Sequence, residues 1–506
     1  MDFLNHLSIA FAVCLEASNL FACFIGVLLG TLVGVLPGLG PTASMALLLP
    51  ITFSLTPTQS IIMLAGIYYG AYYGGSTTSI LVNIPGEAGS VVTCLDGYQM
   101  AKKGRAGAAL AISAIGSFIA GTFSVIMIMV LGPPLARMAL KFGPPENASL
   151  IFFGLTMLTY LASGSMIKAL MMAAFGLLLG CVGNYVFTGV YRYTFSIPEL
   201  GDGVGLVPIA MGLFGISEVL SNLEKSITNK EIFKTKLKDL FLTKKEWKDA
   251  VRPIARGSIL GFFLGVLPGG GGIISSFLSY AVEKKISKHP EKFGTGTIEG
   301  VAAPEAANNA GVGGSFIPLL TLGIPSNAAI AMLMGAFLIH GVSPGPLLLK
   351  DHPDLFWGVI GSMYIGNFML LVLNLPLIGL WVQILKIPYK FLFALIFLFC
   401  LIGAYSLNNS IFEMIIMVSF GILGYLMKKF RYEPAPLILA LILGPILEEA
   451  LAQSLILSDG SFMIFISRPI SGILFGFSLF FLILPFLLKL MKKRRPNALI
   501  EGADDF

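Results

Sequence analysis

"GVLPGLG" occupies residues 34–40, and "GVLPGGG" occupies residues 265–271. Both lie inside stretches that otherwise read as apolar helix. In a helix interior proline costs about 3 kcal/mol and glycine about 1 kcal/mol, so such clustered breaks need a structural purpose. A shift of 231 residues carries Gly34 to Gly265. The same shift carries Gly30 to Gly261, Pro37 to Pro268, Gly38 to Gly269, Gly40 to Gly271 and Ser44 to Ser275. A second pair of motifs follows in the same order. "GGSTTSILVNIPG" (Gly74–Gly86) and "GGSFIPLLTLGIPS" (Gly313–Ser326) both open on Gly-Gly-Ser and reach Ile-Pro, with one extra residue in the second copy. Two motifs recurring in one order indicate an internal duplication.

Composition sets the surroundings of these breaks. Of 506 residues, 56% are hydrophobic and 12% charged, whereas soluble domains carry about 25% charged residues. Uninterrupted apolar runs such as Ala111–Gly132, Phe391–Leu407 and Ile470–Leu490 reach the roughly 20 residues that a bilayer-spanning helix needs. Barrel strands alternate in polarity and are excluded. The expected fold is an all-α polytopic integral membrane protein with about 10–12 transmembrane helices plus re-entrant hairpins, arranged as two inverted-topology repeats.

Charge gives the orientation. The stretch Lys225–Arg256 holds ten basic residues, and Lys and Arg collect in cytoplasmic loops. The division expected is a first membrane half over 1–224, a basic cytoplasmic linker over 225–256 that is part amphipathic helix, a second half over 257–490 and a cytoplasmic tail over 491–506. Lys102, Lys103 and Arg105, then Lys284, Lys285, Lys288 and Lys292, then Lys428, Lys429 and Arg431 are placed on the same side as the linker. Thr52–Ser60 and His340–Leu349 have no Lys or Arg and are placed opposite. In the first copy the uncharged segment follows the first motif and the basic one follows the second; in the second copy the order reverses. Equivalent points then face opposite sides, which is the inverted repeat common among secondary transporters.

The opening breaks now have a purpose. After the Pro37–Pro41 break, only about ten residues remain to Ile51, too few to span at about 1.5 Å per residue. A re-entrant hairpin with its tip near the midplane fits, and the second copy makes the same hairpin from the other side. Irregular backbone at that depth is tolerated where it is buried in protein or lines a wet cavity. Half-helices starting at such tips aim their positive ends inward and suit an anion. Candidate substrate-binding residues are Gly38, Gly40, Thr42, Ser76, Thr77, Asn83, Gly86, Gly269, Gly271, Asn308, Asn309, Ser315, Ser326 and Asn327. Pro37, Pro85, Pro268 and Pro325 are the tips or hinges. Glu87 and Glu305 are candidates for ion coupling. The candidate segments are nearly free of Lys and Arg, so backbone N–H groups, hydroxyls and Asn amides are expected to hold substrate charge, with no basic pocket.

Plainer readings stand beside these. The glycine pairs suit close helix packing. Glu87 and Glu305 each follow a proline and suit a helix start. Tyr68, Tyr69, Tyr72 and Tyr73 recur at helical spacing as a packing stripe does. The five cysteines have no CxxC spacing and read as buried thiols, and the four histidines show no metal-ligand spacing. No lysine follows the glycine clusters in the manner of a nucleotide-binding loop, and no GxSxG nucleophile motif or other enzyme signature is present. The net charge of +6 follows from topology and does not indicate nucleic acid.

The stretches "GVLPGLGPTASMALLLP", "YYGAYYGGSTTSILVNIPGEAGSVVTCLDGYQMAKKGRAGAAL", "GFFLGVLPGGGGIISSFLSYAVEKK" and "GVAAPEAANNAGVGGSFIPLLTLGIPSNAAIAMLMGAFLIHG" resemble the large membrane subunit of tripartite tricarboxylate transporters, the TctA family. The likeness runs from about Phe21 to about Glu449. It implies a secondary active importer in the bacterial inner membrane, moving citrate-like tricarboxylates or dicarboxylates. It also implies a small membrane subunit and a periplasmic binding protein as partners, a sodium or proton gradient as driving force, and no cofactor. A homodimer and a monomer both stay open, as does an uncoupled carboxylate channel or membrane scaffold.

Overall fold

The computed structural model describes residues 3–36, 39–160, 165–224, 233, 237–385 and 389–494. Most of this is helix. One two-residue ladder, Gly183–Asn184 paired antiparallel with Tyr191–Arg192, is the only sheet among the described residues. The all-α reading therefore holds. Six described helices are long and apolar enough to cross a membrane, and five shorter apolar helices accompany them.

The first repeat runs through α1 (Ala17–Val35), α2 (Gly40–Leu48), α3 (Pro57–Val82), α4 (Val91–Lys102) and α5 (Ala106–Ala139). After the peripheral α6 (Leu206–Glu224) come α7 (Lys244–Val266), α8 (Gly271–Ile286), α9 (Glu299–Gly314), α10 (Phe316–Leu322), α11 (Ala328–Ile339) and α12 (Pro353–Asn374). Residues 244–256 of the basic stretch are thus one helix with the apolar segment after them. Thr243 starts that helix with a reciprocal cap, its hydroxyl accepting from Glu246 N while Glu246 reaches back to Thr243 N. Thr56 and Gln59 cap α3 in the same way.

Glycine spacing decides how each hairpin packs. A Cβ on Gly26, Gly30 or Gly34 of α1 would stand 2.3, 2.5 or 2.2 Å from the carbonyl oxygens of Met63, Ile67 and Ala71 on α3. On α7, a Cβ on Gly257, Gly261 or Gly265 would stand 2.4, 2.1 or 2.1 Å from the carbonyls of Ala303, Ala307 and Gly311 on α9. Small residues every fourth position let the two backbones touch, which drives association where lipid removes the hydrophobic incentive. The two stripes are related by the shift of 231, and their partners by a shift of 240.

The breaks repeat as well. Chains turn between α1 and α2 and between α7 and α8, and both second helices begin on a positive-φ glycine, Gly40 (64°) and Gly271 (37°). Ser44 and Ser275 each donate to the carbonyl four residues back, Gly40 and Gly271, at 2.6 Å. The helices α3 and α10 both end on a left-handed residue, Asn83 (φ 57°) and Gly323 (φ 70°), followed by Ile-Pro. The shift of 240 holds throughout: Gly74 abuts Thr31 O and Gly314 abuts Phe262 O, and a shift of 231 carries Thr31 to Phe262. This corrects the one-residue insertion expected between the second motifs. The Gly-Gly-Ser strings align one residue out of structural register, and the backbone geometry pairs Gly74 with Gly314 and Pro85 with Pro325 without a gap.

The equivalent helices α3 and α9 run antiparallel. Tyr68 meets Ser315 at 3.1 Å, while Ser76, eight residues later, meets Glu305, ten residues earlier. Two like units in opposite directions are what inverted repeats require. The helices α5 and α12 brace the pair, with Ser124 donating to Ala310 O and Tyr73 to Asn367 Oδ1. Outside them α6, which contains a π-helical turn at Met211–Ile216, packs on α13 (Ile411–Lys429) through Gly212, Gly421 and Gly424. The helix α14 (Ala435–Leu457) packs on Met166–Gly180.

Basic segments assigned to one side do come together. Lys103 Nζ donates to Thr295 O at 2.6 Å, and Arg105 pairs with Glu246. Asp96, midway along α4, is fully buried and accepts from Gly294, Gly296 and Thr297 N–H and from Tyr280 O–H, fastening the first repeat to the loop before α9.

Candidate functional site

A cavity of about 390 Å³ lies where the first hairpin and the α3 break meet the peripheral helices. Its walls include Gly40, Thr42, Tyr72, Pro85, Gly86, Glu87, Ile273, Glu218 and Lys428. The sequence named five of these, Gly40, Thr42, Pro85, Gly86 and Glu87. Pro37 and Gly38 lie outside the described residues. Gly86 fits because it has no side chain: a Cβ would stand 2.4 Å from Gly75 Cα and 2.5 Å from Gly34 O. The first tip, the α3 break and the second hairpin, through Ile273, therefore share one space.

The remaining candidates form a buried polar seam between the antiparallel helices, behind the cavity. Glu87 Oε2 accepts from Gly89 N and its Oε1 from Asn308 Nδ2 at 2.9 Å. Glu305 accepts three hydroxyls, from Ser76 at 2.6 Å, from Thr93 and from Ser113 at 3.0 Å. Asn309 Nδ2 donates to Ser117 Oγ at 2.7 Å and to Glu305 O. Ser315 Oγ–H donates to Val312 O and its oxygen meets the Tyr68 hydroxyl; Asn327 Nδ2 donates to Tyr68 OH at 3.0 Å, and Asn327 Oδ1 caps α11 through Ile330 N. Ser326 Oγ donates to Ser315 O, and Gly269 N donates to Ser326 O at 2.7 Å, so Gly269 locks the second tip onto the second break. Gly271 starts α8, with Pro268 in the turn before it, and Pro325 lies in the second break. Thr77 is buried, and Asn83 is an exposed helix end; neither lines the cavity. Tyr68 and Tyr72 pack edge to face at 5.3 Å. Tyr72 also faces the cavity, so the tyrosine stripe is more than packing.

Sequence reading missed Lys428, Glu218 and Asp96. Lys428 lines the cavity from the end of α13 and pairs with Glu218 of α6. In the sequence it looks like one of several basic residues that end an apolar helix, and nothing local distinguishes it. A cation in the cavity departs from the expectation of no basic pocket. Asp96 was also missed, although its acceptor role is foreshadowed by the turn-forming "GTGT" at 294–297, whose backbone N–H groups need an acceptor.

Duplicated antiparallel units, helices interrupted beside a cavity and a cationic side chain at its edge are the build of a membrane transporter. The chain belongs to the tripartite tricarboxylate transporter TctA family, whose model matches residues 20–439; it is therefore a membrane subunit of a transporter class that works with partner subunits. It is 51% identical over 494 residues, 98% of both chains, to an uncharacterized 52.8 kDa protein of the TAR-I ttuC' 3' region of Agrobacterium vitis. It is 52% identical over 234 residues to an uncharacterized protein of the TAR-II ttuC' 3' region of the same organism, covering 46% of this chain and 97% of that one. No solved structure matches it.

Proposed function

We propose that this subunit is the secondary active carrier of a carboxylate importer in a bacterial inner membrane. It would take citrate-like tricarboxylates or dicarboxylates from a periplasmic binding protein, work beside a small membrane subunit, and draw on a sodium or proton gradient. The observation that carries the reading is the cavity bounded by Gly40 and Thr42, by Gly86 and Glu87, and by Lys428. Backbone N–H groups at the start of a helix favour anions, and an ammonium at the far wall supplies a counter-charge for a second carboxylate. The Lys428–Glu218 pair holds that ammonium until substrate replaces Glu218.

By the positive-inside rule, Lys428, Lys429 and Arg431 mark the cytoplasmic end, as does the C-terminal tail, and the cavity reaches that end. This favours an inward-facing arrangement. In the alternate arrangement the hairpin and break of one repeat move against the peripheral helices α6 and α13, carrying substrate past them. Thr42→Cys provides the test. Its modification by a small charged maleimide in inside-out vesicles should be slowed by the transported carboxylate and unaffected by a neutral analogue. Modification indifferent to every di- and tricarboxylate tried would remove this cavity as the substrate site.

A further inference from the structure

Glu87 and Glu305 are both buried carboxylates, yet their surroundings differ. Glu305 accepts three hydroxyls, each from a different helix. The Glu87 carboxylate accepts from the backbone N–H groups of Gly89 and Ser90 within its own turn and, from another helix, the Asn308 amide alone. No Lys, Arg or His among the described residues lies within ion-pair distance of it; Lys428, across the same cavity, is held by Glu218. A buried charge without a partner is too costly to persist.

Asn308 supplies the second observation. Its side chain is 1% exposed, its Nδ2 is spent on Glu87 Oε1, and its Oδ1 is a buried acceptor with no hydrogen-bond partner among the described residues. The amide cannot be turned round, because that would set Oδ1 against the carboxylate. The orphan oxygen and Glu87 Oε1 face one point: a Cβ on Gly89 would lie 2.6 Å from Asn308 Oδ1 and 3.1 Å from Glu87 Oε1. Gly272, at the start of α8, closes the far side, where a Cβ would lie 2.1 Å from Asn308 Oδ1. Hard cations take oxygen ligands of this kind, and an oxygen pair with one net charge suits a monovalent ion.

The repeat provides an internal control. The shift of 240 carries Asn308 back to Tyr68 and Glu87 forward to Asn327, and that pair is hydrogen-bonded too, Asn327 Nδ2 to Tyr68 OH at 3.0 Å. There Asn327 Oδ1 is satisfied by Ile330 N, and no carboxylate is present. The geometry is kept in both halves and the charge in one.

We propose that Asn308 Oδ1 and Glu87 Oε1 bind one small monovalent cation, Na+, between the two repeats and beside the substrate cavity, and that the symmetry-related Asn327–Tyr68 pair binds none. This names the coupling ion of the carrier proposed above and rests on that reading. The ion bridges α9 to the α3 break, so its arrival neutralises Glu87 at the moment an anionic substrate enters the neighbouring space. Glu305 has no part in the coupling.

The test uses the intact transporter with its partner subunit in nanodiscs, titrated with NaCl against choline chloride at constant ionic strength. Sodium should raise the thermal midpoint of the wild type, and choline should not. Asn308→Leu and Gly272→Ala should lose the response, while Asn327→Leu keeps it. Asn308→Asp sets a second carboxylate beside Glu87, so its stability should depend on sodium more steeply than that of the wild type, an outcome misfolding cannot imitate. A wild-type midpoint unmoved by sodium, or an unchanged response in Asn308→Leu, overturns the cation site. Carboxylate uptake driven by a proton gradient alone, with the midpoint indifferent to sodium, overturns the cation site and leaves the carrier reading standing. A sodium response without any carboxylate uptake does the reverse.

Discussion

Removing the Glu305 carboxylate should cost far more stability than removing that of Glu87. Glu305 lies on α9 and binds Ser76 of α3, Thr93 of α4 and Ser113 of α5, so one side chain ties four helices. Hydrogen bonds to a charged group contribute about 1.5–3 kcal/mol each. Glu305→Ala strands three buried hydroxyls. Each can fall back on a carbonyl one turn earlier in its own helix, which recovers part of the loss, and the net cost is about 3–5 kcal/mol, the range for breaking a buried charged cluster. Glu305→Gln keeps the oxygen facing one side and loses at most one acceptor, so about 1–2 kcal/mol is expected. Glu87→Gln should cost less still, because two of its donors are backbone N–H groups of its own turn and only Asn308 ties it to another helix. The assay is thermal unfolding of the purified transporter in one detergent, followed by near-ultraviolet circular dichroism. The midpoint should fall in the order Glu305→Ala, Glu305→Gln, Glu87→Gln, with the first dropping by several degrees. An unchanged midpoint in Glu305→Ala, or a larger fall in Glu87→Gln, would refute the division of roles between the two carboxylates.

Other expectations follow from single contacts. Lys428→Met should raise the half-saturation concentration for a dicarboxylate about 10–100-fold, the equivalent of one charge-assisted contact, while Glu218→Gln should lower it; initial uptake rates measure both. Gly261→Leu drives a side chain into the Ala307 carbonyl and should lose at least the roughly 1–3 kcal/mol typical of overpacking, whereas Gly476→Ala, inside the helix Pro469–Arg494 with nothing within 4 Å, should leave the midpoint unchanged or raise it by the equivalent of up to about 1 kcal/mol in the same melting assay. Partial burial works against the charge of Glu246, but hydrogen bonds from Thr243 and the nearby Arg105 guanidinium outweigh it and hold its carboxyl below the ordinary value. Its contribution to stability is therefore complete above the ordinary glutamate range and is lost as pH falls through the lowered value. The gap in melting midpoint between wild type and Glu246→Gln should close on acidification and be widest near neutrality.

The duplication and the hairpins were legible because glycine and proline report backbone demands locally. The Gly34–Gly40 cluster announces a break wherever it falls, and the four-residue spacing of Gly257, Gly261 and Gly265 announces a helix contact. Fine register was less legible. Two Gly-Gly-Ser strings match as letters, yet only the paired left-handed ends at Asn83 and Gly323 show which residues are equivalent. The polar seam was partly legible, since Asn308, Asn309 and Glu305 stand out in an apolar run. Their partners did not: Ser113 and Ser117 look like ordinary small residues of a long apolar helix, and their meaning comes from a crossing made 192 residues away. Lys428 was hidden for a similar reason. A lysine ending an apolar helix has an ordinary explanation in membrane topology, and only the packing of α13 on α6 turns it toward the cavity.

The most direct test of the carrier reading is uptake into proteoliposomes. They would hold this chain with its small membrane subunit, with binding protein and labelled citrate or a dicarboxylate outside, and with sodium and proton gradients imposed separately. Accumulation against the substrate gradient, dependent on inward sodium and on the binding protein, is the expected result. Flux that only equalises the two sides, indifferent to either gradient, would contradict a coupled carrier and return the chain to the class of channels.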